Sequence, residues 1–151
     1  MNIFVTSFDP EEAAGHLDDK RLVKMTLETA QILSTVMGGP YRPTHIHHPC
    51  VVWAKTEGFA MNWLTSYLRS LCNEYTCRYR KIHACMNLWE NFNALYPEIP
   101  EKPKQWMLCP PTIKILDPRP HYHNILNGKW LNDKRPPRWT NRTPPDFWHF
   151  T

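Results

Sequence analysis

Glu28 is a carboxylate that shares one face of a predicted helix with several cations. At about 3.6 residues per turn, polar residues occupy less than half of the helix circumference: His16, Lys20, Arg21, Lys24, Glu28 and Gln31. Neighbouring cations keep a carboxylate ionised, so it can act as a general base or stabilise positive charge beside an anionic substrate. The alternative is a solvated stripe, because Lys and Glu four residues apart are common on helix surfaces.

A second group of polar side chains follows this helix within ten residues, and it comprises Tyr41, Arg42, His45, His47, His48 and Cys50. Three His and a Cys raise the possibility of zinc, but their spacing matches none of the common structural zinc patterns. We therefore predict no metal and no other cofactor. Histidines in a loop can contact phosphates or transfer protons near neutral pH. For His48 an equally weighted alternative is a structural cap on the helix that Pro49 begins.

Charge is unevenly distributed along the 151 residues. Residues 1–96 hold nine Lys or Arg and nine Asp or Glu, whereas residues 97–151 hold nine against five. The net charge of +4 therefore comes from the last third of the chain, which is also rich in aromatic residues. Such a segment suits a polyanionic partner, either duplex DNA or a nucleotide.

Cysteine usage and hydropathy indicate the compartment. The five cysteines form no Cys-x-x-Cys pair, which predicts a reducing environment without a disulfide framework. No apolar run reaches the length of a membrane span, and the start MNIFVTSF has no basic region of a signal peptide. We expect a cytoplasmic protein without a membrane partner, whose oligomeric state the sequence leaves open.

Capping residues and apolar periodicity predict a mainly α fold, a compact bundle of three main helices behind a short strand or extended arm at residues 2–8. Asp9 and Pro10 form a helix start, and the first helix is predicted to run from Pro10 to Met37 before Gly38. A second long helix is predicted from Thr56, and a third from about Ile82 to Leu95.

Residues 97–151 are predicted to be an irregular tail, since they contain eleven of the fifteen prolines. We expect one domain, 1–151, in which this Pro- and Trp-rich basic tail docks on a helical core of residues 1–96. The four tail tryptophans are Trp106, Trp130, Trp139 and Trp148. We favour a role for them in packing the tail against the core. The alternative is that they stack on bases while the interleaved Lys129, Lys134, Arg135 and Arg138 neutralise phosphates.

Several of these features together resemble the endonuclease V type pyrimidine dimer DNA glycosylases of phages and their relatives. The first is the pattern Leu-x-Asp-x-x-Leu from Leu17 to Leu22, followed by Glu28 nine residues after the Asp. The others are the Tyr41-Arg42 pair and the His48-Pro49 step. The resemblance covers about the first 85 residues. The start MNIF and the stretch DKRLVKMTLETAQ also resemble uncharacterised phage proteins, which implies a viral origin and action in the cytoplasm of an infected bacterium.

The resemblance implies a helical domain that binds duplex DNA, flips a nucleotide and cuts its glycosidic bond. In that family an N-terminal α-amine attacks C1′ of the sugar and a Glu on the first helix assists, which gives an imine that can eliminate the 3′ phosphate. Here the catalytic candidates are Glu28 with the amine of Met1, or with Lys24 or Lys20 as the alternative nucleophile. The residues expected to bind substrate are His16, Lys20, Arg21, Gln31, Tyr41, Arg42, His45 and His48.

Two other functions remain open at this point. One is an enzyme that binds or modifies an altered base, a nucleotide or another phosphorylated small molecule in the same cationic pocket. The other is a nonenzymatic DNA-binding or host-interaction protein, whose binding would not depend on Glu28.

Overall fold

The computed structural model describes residues 1–149; residues 150 and 151, the end of the predicted tail, lie outside the described residues. Its helices are α1 (Pro10–His16), α2 (Asp19–Met37), α3 (Pro49–Thr56), α4 (Ala60–Tyr79), a 3-10 helix (Ala84–Leu88), α5 (Trp89–Leu95) and α6 (Arg119–Asn132). Strands β1 (Trp106–Leu108) and β2 (Ile113–Ile115) form an antiparallel hairpin in which Met107 pairs with Lys114. The predicted mainly α fold is confirmed.

Helices α2 and α4 form the centre of the core. The apolar residues of α2 recur every three or four positions, and this face is fully buried at Leu22, Ile32 and Leu33. On α4 the equivalent face buries Leu64 and Leu68 completely. The packing of these two faces leaves the polar face of α2, which carries Glu28, at the surface of the core.

The predicted first helix is wrong in one respect, because it is broken at Leu17 and Asp18. Both residues are extended, and α2 begins after Asp18. The Asp18 carboxylate accepts a hydrogen bond from the Trp130 indole (2.7 Å), and the His16 carbonyl at the end of α1 accepts one from the Trp139 indole (3.0 Å). Polar groups freed by the break are therefore satisfied by the tail.

The other predicted boundaries need smaller corrections. Helix α4 begins at Ala60 rather than at Thr56, because Phe59 is in the left-handed region (φ 64°) and separates α3 from α4. The predicted third helix from Ile82 is a 3-10 helix followed by the short α5. Residues 2–8 form an irregular arm and no strand, because Phe4 lies in the left-handed region (φ 41°) and the Thr6 backbone N–H donates to the Phe4 carbonyl (2.8 Å).

The tail is more regular than predicted, since it contains the hairpin and the fourteen-residue α6. All four tail tryptophans are buried: Trp106, Trp130, Trp139 and Trp148. They belong to the same buried cluster as the core residues of the helices, which supports a role in packing the tail and leaves little of their rings accessible for stacking on bases. The organisation as one domain stays a prediction, which these contacts support.

Candidate active site

Three nitrogen atoms surround the Glu28 carboxylate on α2. The Met1 amine lies 3.8 Å and Lys24 Nζ lies 3.6 Å from Glu28 Oε1. The backbone N–H of Asn2 donates a hydrogen bond to Glu28 Oε2 (3.3 Å). The Glu28 side chain is only 13% exposed, so the carboxylate is shielded from water on most sides. The structure therefore brings together the three predicted catalytic residues, Met1, Lys24 and Glu28.

The N-terminal amine is positioned by the arm of residues 2–8. Ile3 and Val5 are completely buried, and the Phe4 ring packs edge-on against Tyr122 of α6. The Asn2 side chain donates to the Cys109 carbonyl (2.7 Å) and accepts from the Ile3 backbone N–H (2.8 Å). The anchoring role of Asn2 was not predicted, because its partner lies 107 residues away. The β-branched and aromatic content of residues 2–8 was the only sequence signal of a buried arm.

His48 adjoins the same site. Its Nδ1 accepts a hydrogen bond from the Cys50 backbone N–H (3.1 Å), so the predicted capping of α3 is confirmed. Burial lowers the pKa of His48, and the Met1 amine and His45 lower it further, while Glu28 opposes them. A neutral imidazole that accepts through Nδ1 carries its proton on Nε2. His48 can therefore offer an N–H donor beside the amine and the carboxylate.

The loop of residues 41–48 joins α2 to α3 and ends at His48. Thr44 fixes it to α2, because its backbone N–H donates to Thr35 Oγ1 (3.1 Å) and its carbonyl accepts from the same hydroxyl (3.2 Å). His45 is exposed and has a positive φ of 50°. Arg42 is exposed as well. The Tyr41 hydroxyl lies 3.5 Å from Cys85 Sγ, and this contact together with burial raises the pKa of Tyr41 to about 12.

The remaining predicted binding residues on α2 differ in their surroundings. Arg21 is buried and pairs with Asp18 (3.1 Å) and Asp133 (2.8 Å), which ties α2 to the end of α6. Lys20 Nζ lies 3.1 Å from Asp133 Oδ1, but its side chain is 69% exposed. Gln31 is partly exposed, three residues beyond Glu28. Lys20 and Gln31 are thus accessible to a substrate, whereas Arg21 is held in an internal ion pair.

His16 is not part of this group, because the break after α1 removes it from the face of α2. Its Nδ1 lies 3.0 Å from Thr6 Oγ1, and its ring packs edge-on against Phe147 and His123. Its contacts therefore belong to a different part of the surface from the Glu28 carboxylate. Substrate binding by His16 stays a prediction.

Protonation of His16 is expected to destabilise the fold. Burial is the main cause of its lowered pKa, which Glu12 opposes and His123 and Arg142 reinforce. The unfolded chain then binds a proton that the folded chain does not, so the free energy of unfolding decreases as the pH falls below about 6.5. The free energy of unfolding is measured with urea at about pH 7.5 and about pH 5.5. Between these two values it should decrease less in His16→Gln than in the wild type. The control His47→Gln, at an exposed position, should show the same decrease as the wild type. A decrease in His16→Gln as large as that of the wild type would contradict the prediction.

Residues 1–149 contain no group of three or more His, Cys, Asp or Glu side chains arranged to hold a metal ion. Over the same residues, no helix has both the length and the apolar character needed to cross a membrane. The five cysteines are free: Cys50, Cys72, Cys77, Cys85 and Cys109.

A comparison with protein families identifies the chain. The family model described as pyrimidine dimer DNA glycosylase matches residues 1–91. The chain belongs to this family. The resemblance found in the sequence is thereby confirmed, and the protein is an enzyme of the DNA glycosylase class with DNA as its substrate. Comparisons with curated proteins and with solved structures gave no match.

The matched residues extend from the N-terminal arm into α5 and include the amine, Lys24, Glu28 and the 41–48 loop. The hairpin and α6 lie outside the match, although they supply the Cys109 and Tyr122 contacts that hold the arm. The part of the enzyme common to its family therefore depends on a tail that the family model does not cover.

Proposed function

We propose that the enzyme removes a damaged pyrimidine from duplex DNA by amine attack on C1′ of the sugar and then cleaves the strand as a lyase. The pairing of the Met1 amine with the shielded Glu28 carboxylate carries this proposal. A nucleophile and a carboxylate within 4 Å of each other are what a covalent glycosylase requires. The match to a pyrimidine dimer glycosylase family supports the choice of substrate.

Met1 is the preferred nucleophile over Lys24. The Met1 side chain is 4% exposed and packs at the edge of the core, whereas the Lys24 side chain is 63% exposed. Lys24 remains the alternative. Lys20 is less suited, because its amine faces Asp133.

The reaction begins when the neutral amine attacks C1′. The bond from C1′ to the base breaks, its electron pair leaves with the base, and Glu28 accepts the proton that the amine releases. Before this transfer, the ionised carboxylate stabilises the positive charge that develops at C1′. The nitrogen lone pair then forms the C1′=N bond while the C1′–O4′ bond breaks, and Glu28 returns its proton to O4′, which gives an open-chain protonated imine. The carboxylate, ionised again, removes a proton from C2′, so that the C3′–O bond breaks and the 3′ phosphate leaves with its electron pair, which cuts the strand.

Five further residues are proposed to bind the DNA around the flipped nucleotide. The Met1 amine and Glu28 both shift the pKa of His48, so its ring lies near them. Its Nε2–H can donate to a phosphate or a sugar oxygen. Gln31 can hydrogen-bond a base edge, because it offers both a donor and an acceptor. Arg42 and His45 are exposed on the adjoining loop, where they can contact phosphates, as can Lys20. A phage origin stays a prediction, as does action in the cytoplasm.

Borohydride trapping tests the amine mechanism directly, because the reagent reduces an imine to a stable covalent adduct. We expect the wild type and Lys24→Ala to form the adduct on duplex DNA carrying an abasic site, and peptide mapping should place it on Met1. One additional Gly ahead of Met1 moves the amine by up to about 3.8 Å and should abolish trapping. The same proteins are then assayed on duplex DNA with an ultraviolet photoproduct.

Each result of this experiment has a definite meaning. If only Lys24→Ala loses the adduct, Lys24 is the nucleophile and Met1 is not. Absence of an adduct in the wild type on either DNA would reject the amine mechanism. Binding of a free nucleotide in preference to duplex DNA would reject the proposed substrate.

A further inference from the structure

A basic groove runs between α2 and the tail, starting beside the candidate active site. It consists of two adjoining depressions of about 340 and about 730 Å³ that share Lys20 and Asp133. The first also contains Lys24, one helical turn from Glu28, and Lys129 of α6. The second continues along the tail, and its basic residues are Lys134, Arg135 and Arg138. We use the name basic groove for the six cations Lys20, Lys24, Lys129, Lys134, Arg135 and Arg138.

Most of the positive charge in this groove is available to a ligand. The four tail cations, Lys129, Lys134, Arg135 and Arg138, are exposed, and none of them pairs with a carboxylate within residues 1–149. The three acidic groups of the groove are already engaged: Asp133 with Arg21 and Lys20, Asp18 with Arg21, and Asp19 with Arg78. An anion that enters the groove therefore meets unpaired cations, with the carboxylates largely neutralised.

The groove is also held in a fixed shape. The Arg21 ion pair with Asp133 joins the walls, and the backbone N–H of Asp19 at the start of α2 donates to the Arg138 carbonyl (2.8 Å). The Trp130 indole adds its hydrogen bond to Asp18. A solvated run of surface charge would need no such attachments at both ends. Because these contacts fix the backbone that carries the cations, only their side chains lose conformational entropy when a polyanion binds.

We propose that the basic groove binds the DNA backbone on one side of the damaged nucleotide. This inference rests on the proposed function for the position of that nucleotide at Glu28. From Glu28 to Lys20 the groove follows eight residues of helix, about 12 Å. Phosphates of one strand recur every 3.4 Å along the axis of B-DNA, so this distance covers three or four of them. The tail residues extend the contact farther along the same flank.

The test compares two full-length variants that each lose three positive charges. Lys134→Gln/Arg135→Gln/Arg138→Gln removes tail cations of the groove, whereas the control Lys55→Gln/Lys81→Gln/Lys104→Gln removes exposed lysines that line neither depression. Binding to a duplex with an uncleavable abasic analogue is measured between about 50 and 200 mM salt. The slope of log K against log salt should weaken by about 2 to 3 in the groove variant, at roughly 0.9 per lost phosphate contact, and should stay unchanged in the control.

A second measurement identifies the flank. The wild type is tested on duplexes that are shortened on only one side of the abasic analogue. Shortening the side that contacts the groove should weaken binding strongly, and shortening the other side should weaken it little. In the groove variant the two shortened duplexes should bind about equally. Equal slopes in the two triple variants, or equal effects of shortening on both sides, would overturn the groove proposal. If the triple variant does not fold, Lys129→Gln on the exposed side of α6 should still weaken the slope by about one.

Trapping with borohydride separates this proposal from the proposed function. Trapping of the wild type reports on the amine mechanism, whereas the salt slopes of the two triple variants report on the groove. If the wild type forms no adduct while the salt slopes of the groove variant and the control differ as expected, the amine mechanism is rejected and the groove proposal is retained.

Discussion

Replacing Glu28 with Gln is expected to lower kcat by about 10²- to 10⁴-fold, the range for loss of a general base or of one electrostatic contact to the transition state. Gln has nearly the same shape, so it keeps the hydrogen bond from the Asn2 backbone N–H. It cannot accept a proton from the Met1 amine or balance positive charge at C1′. The fold should survive, because the pairs with Met1 and Lys24 span 3.8 and 3.6 Å and lie at the edge of the core.

Single-turnover cleavage of duplex DNA containing a photoproduct measures this effect, with thermal unfolding as the check on the fold. The matched control is Glu90→Gln, the same change on an exposed residue of α5, which should leave the rate unchanged. A fully active Glu28→Gln would remove this carboxylate from the mechanism. A variant that binds DNA as tightly as the wild type but does not cleave it would confirm a role limited to chemistry.

The second large effect is expected from Glu74→Gln on stability. The Glu74 carboxylate on α4 is buried between Arg78 (2.7 Å), whose side chain is only 1% exposed, and Arg142 of the tail. Removing one member of a buried ion pair leaves an uncompensated charge, which costs about 3–5 kcal/mol. We expect roughly 3 kcal/mol, since Asp19 still faces Arg78 (3.1 Å). For a chain of this length, such a loss lowers Tm by roughly 6 to 12 °C.

An exposed ion pair of the same type provides the control. Glu98 pairs with Arg69 at 2.8 Å, but their side chains are 28% and 47% exposed. Glu98→Gln should therefore cost less than about 1 kcal/mol, the usual limit for surface pairs. Urea unfolding of both variants gives the comparison. Equal destabilisation by the two changes would show that burial of the Glu74 pair is not what makes it important.

The pH dependence of the Glu74 effect has a definite sign. Burial raises the pKa of Glu74, but hydrogen bonds from Arg142 and Arg78 outweigh burial and lower it overall. The ionised carboxylate thus stabilises the fold fully above its usual pKa of about 4.3, and this contribution is lost as the pH falls through the lowered value. The stability difference between wild type and Glu74→Gln should accordingly narrow in acid.

Local sequence patterns predicted the features that depend on neighbouring residues. Asp9 and Pro10 begin α1 as expected, because an N-cap and a proline act within one turn. His48 caps α3 for the same reason. Lys24 and Glu28 meet because residues four apart on a helix lie side by side.

The features that were missed depend on distant partners. The break between α1 and α2 is stabilised by Trp130 and Trp139, which lie more than a hundred residues farther along the chain. Helix α6 forms within a proline-rich segment, where Pro120 occupies its first turn and is tolerated there. The pairing of Met1 with Glu28 was predicted only through the family resemblance, because the contact depends on the tertiary packing of Ile3 and Val5, which neither spacing nor composition shows.

The hydrogen bond between Asn2 and the Cys109 carbonyl has a consequence for biosynthesis. Asn2 is translated 107 residues before Cys109, so the adjacent Met1 amine, which we propose as the nucleophile, lacks this anchor during that interval. At about 5–20 residues per second, the interval lasts several seconds or more. Trp130, which bonds the start of α2, and Trp139, which bonds the end of α1, are translated later still. Interrupted chains that lack α6 are therefore expected to be inactive.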